Sequence, residues 1–118
     1  MDTNHFKKKL QEELKVVERE LKDIAVLDEA TGQWAAKGGQ DLETTAPTQD
    51  ENEFADKLEE YEEHREELPA LQLRWSEVKH ALEKIEAGTY GKCEVDGEPI
   101  EAERLEANPA ARTCTKHM

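Results

Sequence analysis

The sequence predicts a mainly α protein: a long antiparallel helical hairpin of coiled-coil type, followed by a small C-terminal knuckle domain. Three observations predict it. Apolar residues recur every three or four positions in two separate runs, as helices with one buried stripe require. A stretch rich in Gly, Thr and Pro lies between the runs and can turn the chain. Near the end stand two short motifs, each beginning with a cysteine and offering a second polar donor three residues later.

The first run is Phe6, Leu10, Leu14, Val17, Leu21 and Ile24, with spacings of 4, 4, 3, 4 and 3. That near-heptad pattern predicts a helix over 3–28, with the intervening Lys, Glu, Gln and Arg on its wet side. Residues 29–49, with Gly32, Gly38, Gly39 and Pro47, are expected to form a polar loop without regular structure of its own. Trp34 is its large aromatic, and its expected place is capping the end of the helix pair.

The second run is Phe54, Leu58, Tyr61, Leu68, Trp75, Val78, Leu82 and Ile85, and it predicts a helix over 50–87. At ~1.5 Å per residue that helix is ~57 Å long. Arg65 and Gln72 interrupt its seam. Pro69 removes one hydrogen bond, so the expectation is a bend inside one helix, the alternative being a break near Leu68. Gly88 supplies the C-terminal stop. Residues 1–87 then form the hairpin, in which each helix buries a stripe it cannot bury alone, and 88–118 form the knuckle domain.

The composition agrees with narrow seams rather than a thick core. Charged residues are 38% and hydrophobic ones 36%, and Phe, Trp and Tyr number two each. The net charge of −13, from 29 acids against 16 bases, argues against general binding to nucleic-acid backbones. The acids suit either a solvated helix surface or an acidic arm that enters a basic cavity of a partner. No stretch has the roughly 20 apolar residues of a membrane span, and the N-terminus lacks the apolar core of a signal peptide. A cytoplasmic location is therefore expected. In a reducing compartment two cysteines favour metal binding or free thiols over a disulfide.

The knuckles are Cys93-Glu-Val-Asp96 and, after seventeen residues, Cys114-Thr-Lys-His117. Two thiolates, a carboxylate and an imidazole are all zinc ligands, so Cys93, Asp96, Cys114 and His117 are the candidate metal site. Asp is a harder donor than Cys, which lowers affinity relative to four thiolates. A metal-free domain held by packing of Tyr90, Ile100 and Leu105 is the competing reading, and a disulfide formed on oxidation is a third. Gly91 and Gly97 give the first knuckle its backbone freedom, and Glu101 to Ala107 reads as a short helix stopped before Pro109. His5, His64 and His80 have no ligand spacing and are expected at the surface.

Gly88-Thr89-Tyr90-Gly91-Lys92-Cys93, then Gly97-Glu98-Pro99-Ile100, resemble the finger of the DksA/TraR family, and Arg104-Leu105-Glu106-Ala107-Asn108-Pro109-Ala110-Ala111-Arg112-Thr113-Cys114 extends the resemblance. It covers about residues 81–117. The family implies a bacterial transcription regulator that binds RNA polymerase and not DNA, inserting its coiled-coil hairpin into the polymerase secondary channel with acidic residues at the tip. The family's tip motif Asp-x-x-Asp-x-Ala is matched by Asp50-Glu-Asn-Glu53-Phe-Ala55, so Asp50, Glu53 and Ala55 are the implied partner-binding residues. Acids in a first helical turn also suit the helix dipole, with Asp50 as a simple cap. The positions matching the family's guanosine tetraphosphate site hold Glu77, Asn108 and Met118, none a cation, so a response to that nucleotide is not expected. The helix that follows the finger in longer members, and their extra N-terminal segment, are not expected in this short variant.

Two further functions compete. A coiled-coil adaptor or stress protein would use the same scaffold on another protein partner. An enzyme with catalytic zinc would need an open coordination position and a nucleophile–base pair, and four candidate ligands leave no such position. A non-enzymatic regulator is the reading the sequence favours.

Overall fold

The computed structural model describes residues 3–38 and 51–117, giving the backbone alone for Glu51, Asn52 and His117. The chain is mainly helical: helix α1 (Thr3–Ile24), strands β1 (Ala25–Asp28) and β2 (Gln33–Ala36), helix α2 (Glu51–Ala87), helix α3 (Ala102–Ala107) and a 3₁₀ turn (Thr115–His117). Among the described residues no helix is long and apolar enough to cross a membrane.

Contacts group the chain into two compact units, 1–17 with 74–118, and 18–73. In the first unit the finger and the adjoining ends of both helices share one core. Phe6 and Leu10 of α1 and Val78 and Ala81 of α2 are buried with Tyr90, Ile100, Leu105 and both cysteines. A small finger supplies too few apolar groups to close a core alone, so it uses the helices as its floor.

The second unit departs from the expected loop. Helix α1 ends at Ile24, four residues before the expected 28, and the chain turns into an antiparallel hairpin pairing Val26 with Ala35 and Leu27 with Trp34. Gly32 at φ 72° closes its turn, donating from N to Asp28 O at 2.7 Å, while Asp28 Oδ1 accepts from Ala30 N at 3.0 Å. Trp34 lies within the strand, buried at 7% exposure. Alternation decides here: Ala25 and Trp34 face inward while Val26 and Ala35 face out. Gly38, at φ 102°, brings its backbone against the Tyr61 side chain of α2.

Helix α2 runs unbroken through Pro69. Proline costs one hydrogen bond there, but it sits on an exposed face among good helix formers, where water can serve the unpaired carbonyl. The helix stops at Gly88, φ 77°, in a Schellman pattern: Thr89 N donates to Lys84 O at 2.9 Å and Gly88 N to Ile85 O at 3.2 Å. Two residues of the expected stripe, Phe54 and Leu58, are exposed rather than buried.

Candidate metal centre

The first knuckle is built by backbone hydrogen bonds. Cys93 N donates to Glu98 O at 2.7 Å, Gly97 N to Cys93 O at 2.8 Å, and Ile100 N to Gly91 O at 2.7 Å. Gly91 and Gly97, at φ 84° and 74°, adopt the left-handed backbone this turn requires. Asp96 Oδ1 accepts from Glu98 N at 3.0 Å, a local turn that fixes the carboxylate above the loop. Helix α3 positions the second knuckle. Arg104 Nε donates to Thr113 O at 2.6 Å and Thr115 Oγ1 to Glu101 Oε1 at 2.9 Å, so the residues on both sides of Cys114 are held. Glu94 N donates to Arg112 O at 2.9 Å and brings the two knuckles side by side.

Cys93, Asp96 and Cys114 therefore converge, each offering a ligand atom within 4.8 Å of the others. The cysteines are buried and not joined in a disulfide, and the carboxylate is exposed. Burial pushes the Cys93 thiol up, but the N–H groups of Cys114, Asp96 and Val95 and the Cys114 thiol outweigh it and hold the Cys93 pKa below the usual thiol value. Cys114 moves the other way: burial raises it, and the neighbouring Cys93 and Asp96 raise it further. One sulfur is thus favoured as thiolate and the other as the thiol that donates to it.

These three donors fit zinc, which takes thiolate and carboxylate together in tetrahedral sites. Bound there, the ion would supply a closed structural cross-link between the knuckles. The backbone of His117 lies in the 3₁₀ turn directly after Cys114, and its imidazole lies outside the described residues. Of the expected tip residues, Asp50 also lies outside them. Glu53 and Ala55 are exposed in the first turns of α2, with Lys57 Nζ 3.6 Å from Glu53 Oε1.

A group of charges without a sequence signature braces the finger. Glu94 meets His80 Nε2 at 2.5 Å, Arg112 Nε at 2.7 Å and Lys84 Nζ at 3.6 Å. Burial would raise its pKa, yet the hydrogen bonds with His80 and Arg112 and the charges of Lys84 and Arg112 hold the carboxyl below its usual range. Glu106 likewise sits between Lys9 and His5, which lower its pKa. His80 and His5 are brace residues, and nothing in their local spacing announces it, because their partners lie 14 and 101 positions away.

Residues 88–116 match the family model of the prokaryotic dksA/traR C4-type zinc finger. An uncharacterized protein, YteA of Bacillus subtilis, is 51% identical over 41 residues, which are 35% of this chain and 17% of that protein. The RNA polymerase-binding transcription factor DksA of Caulobacter vibrioides is 53% identical over 36 residues, 30% of this chain and 25% of that one. General stress protein 16O of Bacillus subtilis is 58% identical over 36 residues, 30% of this chain and 22% of that one. The matched segments thus span about a quarter or less of these relatives. Over 97% of the chain, the fold is similar to transcription factor DksA2 from Pseudomonas aeruginosa, of which it covers 78%, at a TM-score of 0.69 and 24% identity. The matched residues include Cys93, Asp96 and Cys114 and stop one short of His117.

Proposed function

We propose that this chain, which belongs to the DksA/TraR zinc-finger family, is a cytoplasmic, non-enzymatic transcription regulator that binds RNA polymerase through its secondary channel. The observation that carries the reading is the pairing of a DksA-type finger with a DksA2-like fold along 97% of the chain. A shared finger alone would be compatible with many partners, whereas the long helices are what a channel-entering arm needs.

In this reading the finger is the base and the helical arm the effector. Zinc at Cys93, Asp96, Cys114 and His117 would stiffen the base, while the braces at Glu94 and Glu106 fix it to the helices. Asp50 and Glu53 would act from the start of α2 through their charge, with Ala55 leaving room for close approach. An arm this acidic is steered toward a cationic cavity before contact, which raises the association rate more than the affinity. Direct binding to purified core RNA polymerase, with altered initiation in a reconstituted transcription assay, tests the reading. Absence of binding at micromolar concentrations would end it.

The similarity to general stress protein 16O keeps a second reading in view, a coiled-coil adaptor or stress protein that binds another protein. Co-purification with a different partner under conditions where polymerase is not retained would favour it.

A further inference from the structure

The apolar run of α2 is not one continuous stripe. Trp75 and Val78 are buried, but Phe54 and Leu58 keep 39% and 36% of their surface open to solvent. Four residues apart, they share one face of the helix. The row continues through Tyr61 to Arg65, whose guanidinium carbon lies 5.7 Å from the Tyr61 ring centroid. Glu62, one turn on from Leu58, and Glu59 are exposed beside it.

An exposed aromatic, an aliphatic and an arginine stacked on a tyrosine, rimmed by acids, have the composition of a binding hot spot. The charge decides what covers it. A second copy would set the acids of one α2 against those of another, in a chain of net charge −13, and like charges facing each other disfavour association. A cationic surface with an apolar recess satisfies both parts of the patch.

We infer that Phe54 and Leu58 form an apolar anchor that seats in a recess of a cationic surface on RNA polymerase. This rests on the polymerase-binding reading above and adds to it that the arm holds its partner by apolar burial as well as by charge. The acids set how fast the arm arrives, and the anchor sets how slowly it leaves.

The test measures binding kinetics of the full chain on purified core RNA polymerase, comparing the wild type with the Phe54→Ala/Leu58→Ala double variant. Thermal unfolding and sedimentation are followed for both. The expected result is binding at least about tenfold weaker, mostly through faster dissociation, with an unchanged thermal midpoint and a monomer throughout. No binding by the wild type sinks the polymerase reading itself, and this inference with it. Wild-type binding that the variant retains in full sinks this inference alone. A thermal midpoint lowered by several degrees would show that the chain's own segments already cover the pair. A wild-type dimer that the variant dissolves would assign the patch to a second copy. Either of these outcomes overturns the anchor.

Discussion

Arg74 grips Glu13 side-on: Nε and Nη2 donate to Glu13 Oε1 at 2.9 and 2.7 Å, and Nη2 also reaches Oε2 at 2.7 Å. Its remaining nitrogen, Nη1, donates to Asn108 Oδ1 at 2.9 Å and to Glu77 at 3.3 Å. One guanidinium therefore ties α1 and α2 to the segment after α3.

Replacing Arg74 should destabilise more than breaking an ordinary surface pair. Exposed pairs are worth ~0.2–1 kcal/mol, but the side chains here are 27% and 33% exposed and the geometry is a fork. Arg74→Leu leaves two carboxylates close together without their cation, and we expect a cost of about 1–2 kcal/mol in chemical denaturation. A double-mutant cycle with Glu13→Gln isolates the pair, with an expected coupling near 1 kcal/mol. Arg74→Lys should recover only part, since an ammonium cannot make the fork. A coupling indistinguishable from zero would mean the fork is not formed in solution.

Tyr90 gives a prediction at alkaline pH. Its hydroxyl donates to Pro109 O at 2.7 Å, and burial, with help from the Glu106 charge, pushes its pKa from 10.0 up to about 12. A folded-state value above the unfolded one means that the stabilisation is complete below pH 10 and is lost as pH rises toward 12. Absorbance titration should show a tyrosine component ionising near pH 12 that Tyr90→Phe removes. The substitution should also cost about 1 kcal/mol at neutral pH, because the Pro109 carbonyl loses its donor. Ionisation of that component near pH 10 would show a hydroxyl already open to water.

What the sequence disclosed, and what it hid, follows from the range of each interaction. The spacing of Phe6 to Ile24 identified α1 because helical periodicity is local, and Gly88, Gly91 and Gly97 marked turns that need positive φ. Cys93, Asp96 and Cys114 were legible because knuckle spacing is itself a geometric constraint. The strand at Ala25–Asp28 was hidden because Ala, Val and Leu next to Ile24 extend a helical stripe as readily as they alternate. The signal available was the Thr31-Gly32 turn followed by Gln33 and Trp34, whose in–out alternation mirrors that of Ala25 and Val26. Arg74 with Glu13, and His80 with Glu94, could not be read at all, since charge pairing across 61 or 14 residues leaves no periodic trace. The stripe of α2 misleads for the opposite reason: periodicity shows which residues share a face, not how fully that face is covered, and Phe54 and Leu58 keep more than a third of their surface open.

Asp96 has two separable roles, one in the knuckle turn and one at the metal. Its Oδ1 closes the turn onto Glu98 N, which an amide oxygen can do equally well. Asp96→Asn should therefore leave the metal-free protein as stable as the wild type, while Asp96→Ala lowers stability by ~1 kcal/mol. Both should weaken zinc by about tenfold or more, since the anionic donor is gone. Competition with a chromophoric chelator reads the affinity, and far-ultraviolet circular dichroism before and after chelation should show the helices retained. Zinc below about half an equivalent in chelator-free wild-type protein would remove the metal from the account. The finger would then rest on Tyr90, Ile100 and Leu105, all buried.

The tip acids call for a substitution that changes charge and little else. Glu53→Gln with Asp50→Asn keeps size and removes two negative charges. Glu53 is exposed and its pairing with Lys57 at 3.6 Å is a helix-surface contact worth ~0.3–0.5 kcal/mol, so stability should fall by no more than that. If the finger and the apolar anchor hold polymerase while the acids act on it, the double variant binds within about threefold of wild type and no longer alters transcription initiation. A charge effect on arrival would appear as a slower association rate whose salt dependence is weaker than that of wild type. Regulation that survives unchanged would detach function from these two residues and leave the acids of α2 as a solvated surface.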